Sequence, residues 1–498
     1  MYILELTAEI APYSHTGGLA RGIRFLSAAL IKRGHDVRVM TPLHYHVVEY
    51  FLKQKGGKQP KKISYVEVQT GTFNAHTSST IKVDIIEYKQ NTVNPHIYFI
   101  DYADYFLNRS SIYGYHDDFR RFYLFSIACC NWLLNEFRQS KKKPDVIHCH
   151  DWHTGYFINA LKDNKQYALL SDIPVVFTVH NFKYQNENKF QYMDEAEIDL
   201  GKTPLADFNS PILKEQNALT RGMVFAERIN TVSPTHAREI LLPEYSYNLS
   251  AFMPKVKNKL SGILNGLDYH EFDPSTHPQI HYHYTEVNFS KQRKKNKLHL
   301  RNVFSLPDNG AAPLFCYVGR MTSQKGLEAL LNSMRAILVQ FPRAQLISLG
   351  DGEDHYCELF WKFTKIFPHQ AKVKLIHDVN LPSKIFAGAD ITLIPSNYEP
   401  GGIVTLEALR YGSAPIARRT GGLMDIVTPY SSQTKQGNGF LYNTNTPNLL
   451  TRTIRSALKL YQKPKQWNCL VYNCMIYKRA WNEVAIEYER LFVDAKNI

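Results

Sequence analysis

Two cations and two carboxylates in the second half of the chain have the types and spacing for group transfer. In "GRMTSQKGLEAL" (319–330), Arg320 closes an apolar run and Lys325 stands just before a helix-like one. Two cations at the mouth of a cleft suit a leaving diphosphate, whose charge rises as its bond breaks. In "IPSNYEPGGIVTLEALRYG" (394–412), Glu399 and Glu407 flank Pro400-Gly401-Gly402. The glycines let the chain turn tightly into a helix, with Glu399 on the loop and Glu407 further in. Carboxylates accept paired hydroxyl donors, so ribose or hexose hydroxyls are natural partners. The purely structural alternative is a helix start where the macrodipole favours acidic residues.

Two Gly-Gly-Leu stretches precede probable helices, one in each half. "PYSHTGGLARG" (12–22) carries Gly17 and Gly18 between His15 and Arg21, and "RRTGGLMDIV" (418–427) carries Gly421 and Gly422 after Thr420. Backbone N–H groups at helix starts bind phosphate oxygens. One such loop per half fits a diphosphate held between two domains. In "DVIHCHDWHTG" (145–155), His148 and His150 are two apart on a strand and share a face. That spacing is a common one for metal ligands, but a sugar is the expected ligand here. "YHDDFRRF" (115–122) and "FTVHNFKYQN" (177–186) complete the polar clusters.

The elements that must position these groups alternate strand with helix. "MYILELTA", "DVRVMTP", "HIYFID", "DVIHCHD", "PVVFTVHN" and "RINTVSP" read as strands, and "GIRFLSAALIKRG" as an amphipathic helix. The pattern restarts with strand candidates "PLFCYVGR", "AQLISLGDG", "VKLIHD", "ITLIPS" and "SAPIARR", around helices "GLEALLNSMRAILVQF" and "GIVTLEALRYG". Repeated strand-then-helix units make a parallel sheet covered on both faces. At 498 residues the chain exceeds one ordinary core, so two doubly wound α/β domains are expected. The break falls near "LSGILNGLDYHEFDPSTHP" (260–278) and the polar stretch running to Lys297. Open α/β sheets bind ligands at the carboxyl ends of their strands, which puts the motif loops at a cleft between the domains.

Bulk properties narrow the class further. No apolar run reaches the ~18 residues needed to span a bilayer, and no secretory leader is legible, so a cytoplasmic protein is expected. Seven scattered cysteines without a C-x-x-C pair argue against a disulfide framework and a zinc site. The net charge of +14 is concentrated in "KQKGGKQPKK" (53–62), "RQSKKKP" (138–144) and "KQRKKNK" (291–297), read as solvated loops and helix ends. No nucleic-acid module accompanies the charge, so no nucleic-acid partner is expected.

Taken in order, the motifs resemble those of the bacterial glycogen synthases and plant starch synthases, the family 5 glycosyltransferases. The resemblance runs over nearly the whole chain, through "AEIAPYSHTGGL", "HDWHTG", "FTVHNFKYQ", "NTVSPTHAREI", "GILNGLDYHEFDP", "GRMTSQKGL", "EPGGIVTLEALRYG" and "RTGGL". It implies a GT-B fold: an acceptor-side Rossmann-like domain over 1–260, a nucleotide-sugar domain over 261–476, and a terminal helix over 477–498 returning to the first. It implies a retaining enzyme that moves glucose from a nucleotide-glucose, usually ADP-glucose, to the 4-OH of an α-glucan end, without a metal or other cofactor.

By the same resemblance Arg320 and Lys325 are the diphosphate-stabilising pair, and Glu399 lies near the donor glucose. His150 lies under the donor sugar, and Asp117 stands near the acceptor, with Asp118 replacing the family's Asn. His15, Gly17, Gly18, Thr420, Gly421 and Gly422 fall at donor contacts. The family's Lys-x-Gly-Gly-Leu-Gly-Asp reads His15 to Arg21 here, so lysine and aspartate are replaced by His15 and Arg21. Glu407 follows family 4 glycosyltransferases, where it holds the nucleotide ribose. The alternatives are transfer to a glycan, lipid-linked sugar or protein, and a non-catalytic glucan-binding protein.

Overall fold

Among the described residues, fifteen strands, most followed by a helix, build two separate sheets. The computed structural model describes residues 1–54, 58–70, 79–89, 94–194 and 197–498. Lys55, Gly56 and Gly57 of the first basic run lie outside them. The chain divides into two units: Met1–Ile263 together with Trp481–Ile498, and Leu264–Ala480.

In the first unit the strands are β1 (Tyr2–Leu6), β2 (Asp36–Pro42), β3 (Lys61–Thr70), β4 (Ser79–Tyr88), β5 (His96–Asp101), β6 (Val146–His150), β7 (Val175–Val179), β8 (Arg228–Thr231) and β9 (Leu260–Gly262). They form one nine-stranded sheet in the order β3-β4-β5-β2-β1-β6-β7-β8-β9. Pairing is parallel except at one edge, where β3, β4 and β5 run antiparallel. β1 and β6 are buried nearly throughout, as strands covered on both faces must be. The long helix Asp118–Ser140 and the helix Gly155–Asp163 contribute Phe122, Phe125, Trp132 and Phe157 to the main core.

The last helix, Trp481–Lys496, belongs to this unit. Trp481 stacks on Phe25 at 6.4 Å between ring centroids. Glu489 meets Arg33 at 2.6 Å and His35 at 2.7 Å, and Lys496 meets Asp145 at 2.8 Å. Tyr488 and Phe492 point inward and are buried.

In the second unit β10 (Leu314–Val318), β11 (Gln345–Leu349), β12 (Ala371–Lys374), β13 (Ile391–Ile394), β14 (Ala414–Arg418) and β15 (Phe440–Tyr442) form an all-parallel sheet in the order β12-β11-β10-β13-β14-β15. The expected doubly wound α/β class is what the structure has. One strand differs in detail: "VKLIHD" reads as a strand, but pairing begins at Ala371 and stops at Lys374, because Ala371 registers with Leu346 on β11.

The polar stretch ending at Lys297 is a helix, Phe289–Val303. Its basic residues divide by face. Arg293, Lys297 and Arg301 recur every fourth position and are buried. Arg293 donates to the Phe386 and Ala389 carbonyls, Lys297 pairs with Asp390, and Arg301 donates to Gln345 Oε1 at 2.7 Å. Part of the charge read as solvated therefore holds this helix to the second sheet. Among the described residues, no helix is long and apolar enough to cross a membrane.

Candidate active site

The second unit gathers its polar groups where β10 and β13 end. After β10 the chain passes Gly319 and Arg320, makes a short turn over Ser323–Lys325, and enters the helix Leu327–Gln340. Arg320 is exposed, and its carbonyl accepts the Tyr317 hydroxyl at 2.7 Å. Gly326 links turn and helix at φ +63°, and a Cβ there would lie 2.1 Å from the Pro395 carbonyl. Only glycine fits so close an approach in that backbone region. This contact draws the turn onto the loop after β13, and Lys325 Nζ reaches Glu399 Oε2 at 2.6 Å. Ser396 Oγ donates to the same oxygen at 2.8 Å.

The second Gly-Gly stretch braces that loop. Gly421 has φ +43°, and a Cβ would fall 2.2 Å from the Glu399 carbonyl. Gly422 N–H donates to that carbonyl at 2.9 Å. Thr420, Gly421 and Gly422 are buried, and so is Glu407 within the helix Ile403–Arg410. The first stretch is different. Gly17 has φ −168°, an extended conformation open to any residue, and an added Cβ would meet nothing within 4 Å. The two loops match in sequence but not in structural duty.

In the first unit the loop of residues 14–18 is held from below by Glu9. Its Oε2 accepts the Thr16 N–H at 2.6 Å and the Thr16 hydroxyl at 3.1 Å. Burial pushes the Glu9 carboxyl up to about 7, and the Asp151 charge adds to the rise. His15, Gly17 and Gly18 are exposed on this loop, ahead of the helix Gly18–Lys32.

Asp117 precedes the helix Asp118–Ser140 and meets Arg109 Nη2 at 2.8 Å. Asp118 accepts the backbone N–H groups of Gly114 at 2.8 Å and Tyr115 at 3.2 Å, and it pairs with buried Arg121. Arg121 also donates to the Tyr105 and Ile112 carbonyls. An aspartate where the resemblance implies asparagine thus serves as the counterion of a buried guanidinium.

His148 and His150 lie on β6 beside Glu5 of β1, and Glu5 and His148 are partners in the strand register. All three are buried. His150 Nε2 lies 2.7 Å from Glu5 Oε2, and His148 Nδ1 lies 3.1 Å from the same oxygen. His150 Nδ1 meets His180 Nε2 at 3.2 Å, and His148 Nε2 meets Thr178 Oγ1 at 2.7 Å. Burial pushes the Glu5 carboxyl up, but the two imidazoles outweigh it and hold it at about 2. Burial takes His150 down to about 4, so its ring is neutral at neutral pH.

The three ligand-type atoms lie within 4.8 Å of one another, the donor set of a metal reading. Coordination requires each imidazole to offer a lone pair. Through Nε2 His150 meets the carboxylate and through Nδ1 it meets His180, whereas His148 Nδ1 and Glu5 Oε1 are buried without a hydrogen-bond partner among the described residues. Both ring nitrogens of His150 are therefore engaged by the protein.

Sequence reading missed Glu5, Glu9, Ser396 and His180 as members of these clusters. Glu5 had a signal, a lone acid inside the apolar run "YILEL". His180 was in view within "FTVHN" and carried no role.

Known proteins resemble this chain over nearly its whole length. Residues 2–255 match the starch synthase catalytic domain model, and residues 301–469 match that of glycosyl transferases group 1. The chain is 34% identical over 500 residues to a glycogen synthase of Clostridioides difficile, covering 99% of each. It is 33% identical over 502 residues to a glycogen synthase of Caldicellulosiruptor bescii, covering 100% of each. The fold is similar, at TM-score 0.83 and 28% identity, to the catalytic domain of starch synthase IV from Arabidopsis thaliana bound to ADP and acarbose, covering 100% of this chain and 99% of that one. The expected GT-B fold is met.

One consequence concerns Asp118. Asp118→Asn keeps an acceptor for the Gly114 and Tyr115 N–H groups but strips the charge facing buried Arg121. Breaking one side of a buried pair costs about 3 kcal/mol or more. The expected result is a lower thermal midpoint by calorimetry, and an unchanged midpoint would show Arg121 to be compensated elsewhere.

Proposed function

Because the chain belongs to the starch and glycogen synthase family of glycosyltransferases, we propose that it is a retaining glucosyltransferase. It transfers glucose from a nucleotide-glucose to the non-reducing end of an α-1,4-glucan. The observation that carries the reading is the Lys325–Glu399 contact at 2.6 Å. It pairs a cation for a departing diphosphate with a carboxylate for sugar hydroxyls.

Lys325 and Arg320 stabilise the diphosphate as its bond to the sugar breaks. Glu399 then shares Lys325 with the diphosphate and orients the donor glucose. Glu407 serves the nucleotide ribose. Thr420, Gly421 and Gly422 hold the loop that bears Glu399, and His15, Gly17 and Gly18 take the donor through the first unit's loop. Asp117 serves the acceptor side. His150, with both ring nitrogens engaged, acts by holding its neighbours.

The acceptor oxygen bonds to the anomeric carbon on the face that the diphosphate leaves. Its proton passes to a phosphate oxygen of the leaving group. Two protein cations supply the positive charge, and the reading gives a metal no role. ADP-glucose is the proposed donor, supported by the ADP in the Arabidopsis starch synthase IV structure. Free cysteines, five of the seven buried, support a reducing cytoplasmic setting.

Incubating the protein with ADP-, UDP- and GDP-glucose and glycogen tests this directly. Elongation of glycogen is expected with ADP-glucose. Transfer instead to a glycan, lipid-linked sugar or protein would sink the acceptor assignment, and glycogen binding without turnover would sink the enzyme. Lys325→Ala should lower kcat by ~100-fold or more, the scale of one preorganised electrostatic contact. Near-full turnover by the folded variant would remove Lys325 from the chemistry.

Glu9 makes the donor loop pH-sensitive. With its carboxyl raised to about 7, it is neutral below that pH and anionic above it. ADP-glucose, a diphosphate diester, should bind up to about tenfold more weakly at pH 8 than at pH 6, the size of one unit of pKa coupling. Glu9→Gln should flatten the profile, whereas His15→Lys should leave the Glu9 part of the slope. Dissociation constants from titration calorimetry at pH 6, 7 and 8 decide it, and parallel profiles for wild type and Glu9→Gln would exclude Glu9.

A further inference from the structure

Glu5, His150 and His180 form a chain of hydrogen bonds that starts in the sheet interior and ends at a strand terminus. Glu5 is wholly buried on β1, and His150 is the last residue of β6. His180 directly follows β7 and is partly exposed. Proton positions along the chain follow from its buried end. The Glu5 carboxylate can only accept, so His150 Nε2 carries the hydrogen at that 2.7 Å contact. The neutral ring then has a lone pair on Nδ1, and at 3.2 Å His180 Nε2 must donate to it.

His180 is neutral as well, because burial and the neighbouring imidazoles drive its pKa well down. Its Nδ1 is left with a lone pair and makes no hydrogen bond among the described residues. The backbone at this point is fixed separately, since His180 N–H donates to Asp151 Oδ1 at 2.7 Å. The outer nitrogen of His180 thus has a set polarity and a set position at the carboxyl end of a parallel strand, where open α/β sheets receive ligands.

We propose that His180 Nδ1 accepts a hydrogen bond from a hydroxyl of the bound sugar, with Glu5 and His150 as positioning residues that fix the tautomer presenting that lone pair. A sugar hydroxyl is the fitting ligand class, because a neutral acceptor repels phosphate oxygens and welcomes an O–H donor. The second imidazole, His148, places its Nδ1 3.1 Å from the same Glu5 oxygen. Its Nε2 accepts from Thr178 Oγ1, which itself accepts from Asn230 Nδ2 at 3.3 Å. The sugar assignment rests on the glucosyl-transfer reading, whereas the tautomer does not.

Two measurements test the two halves. Imidazole nitrogen NMR of the full chain, labelled on histidine, separates a lone-pair nitrogen from an N–H. A lone pair on His180 Nδ1 is expected in the wild type, with Glu5→Gln weakening that preference. An N–H on Nδ1 in the wild type would overturn the chain. For the sugar contact, ADP-glucose and its monodeoxyglucose analogues are compared as donors to glycogen. His180→Ala should lower kcat/KM about 3- to 10-fold, the worth of one hydrogen bond.

For one analogue, the losses from the missing hydroxyl and from His180→Ala should not add. His180→Asn, which can place an amide oxygen near the Nδ1 position, should recover part of the activity. Additive losses for every analogue in an active enzyme would overturn the sugar contact alone. Absence of transfer from any nucleotide-glucose by the wild type would overturn the glucosyl-transfer reading first, and the sugar contact with it.

Discussion

A carboxylate sealed inside a parallel sheet must be answered by donors that the adjacent strands can bring, because an isolated buried charge is too costly to keep. Glu5 sets that requirement for the first unit. The register between β1 and β6 puts His148 beside it, and the alternation of side chains puts His150 on the same face two residues later. The register between β6 and β7 sets His150 against Thr178, and the next strand sets Thr178 against Asn230. Asn230 in turn donates to Tyr488 at 3.1 Å, and Tyr488 and Phe492 pack on His148 with ring centroids 5.3 Å away. The terminal helix therefore closes a polar network that spans four strands, β1, β6, β7 and β8, as well as covering apolar surface.

The second unit meets the same difficulty with shorter means. Lys325 and Glu399 are partly buried and neutralise each other directly, without relays. What makes their contact possible is backbone proximity at Gly326 and Gly421, each lying against a carbonyl that any side chain would strike. Rigidity here comes from close packing of loops, where the first unit uses hydrogen bonds between strands. The glycine contacts are made by backbone atoms and do not involve the two charged groups.

Strand and helix identities in the two units were legible because parallel strands read as short apolar runs and the helices between them as amphipathic ones. The helix Phe289–Val303 was hidden by its composition. Its basic residues read as solvated because their partners, such as Asp390 for Lys297, lie 93 residues away. The same limit applies to the site. Lys325 and Glu399 were each singled out for their type and motif, but their contact spans 74 residues and depends on glycine packing that no local pattern reveals. Glu5 and His150 are 145 residues apart, and only the strand order brings them together. Glu407 was placed on the right helix, yet whether its carboxylate is buried depends on which face that helix turns inward.

The loop of residues 14–18 departs in sequence from the family pattern and is held by a buried carboxyl. His15 and Arg21 stand where the resemblance implies lysine and aspartate. Glu9 grips Thr16 through its backbone N–H and its hydroxyl. Ile10 and Ser14 close the turn below it. A lysine would give this loop a permanent cation over a carboxyl that changes charge near neutrality. Glu9 and Thr16 hold this loop, and its charge changes with pH through the Glu9 carboxyl, which burial raises to about 7.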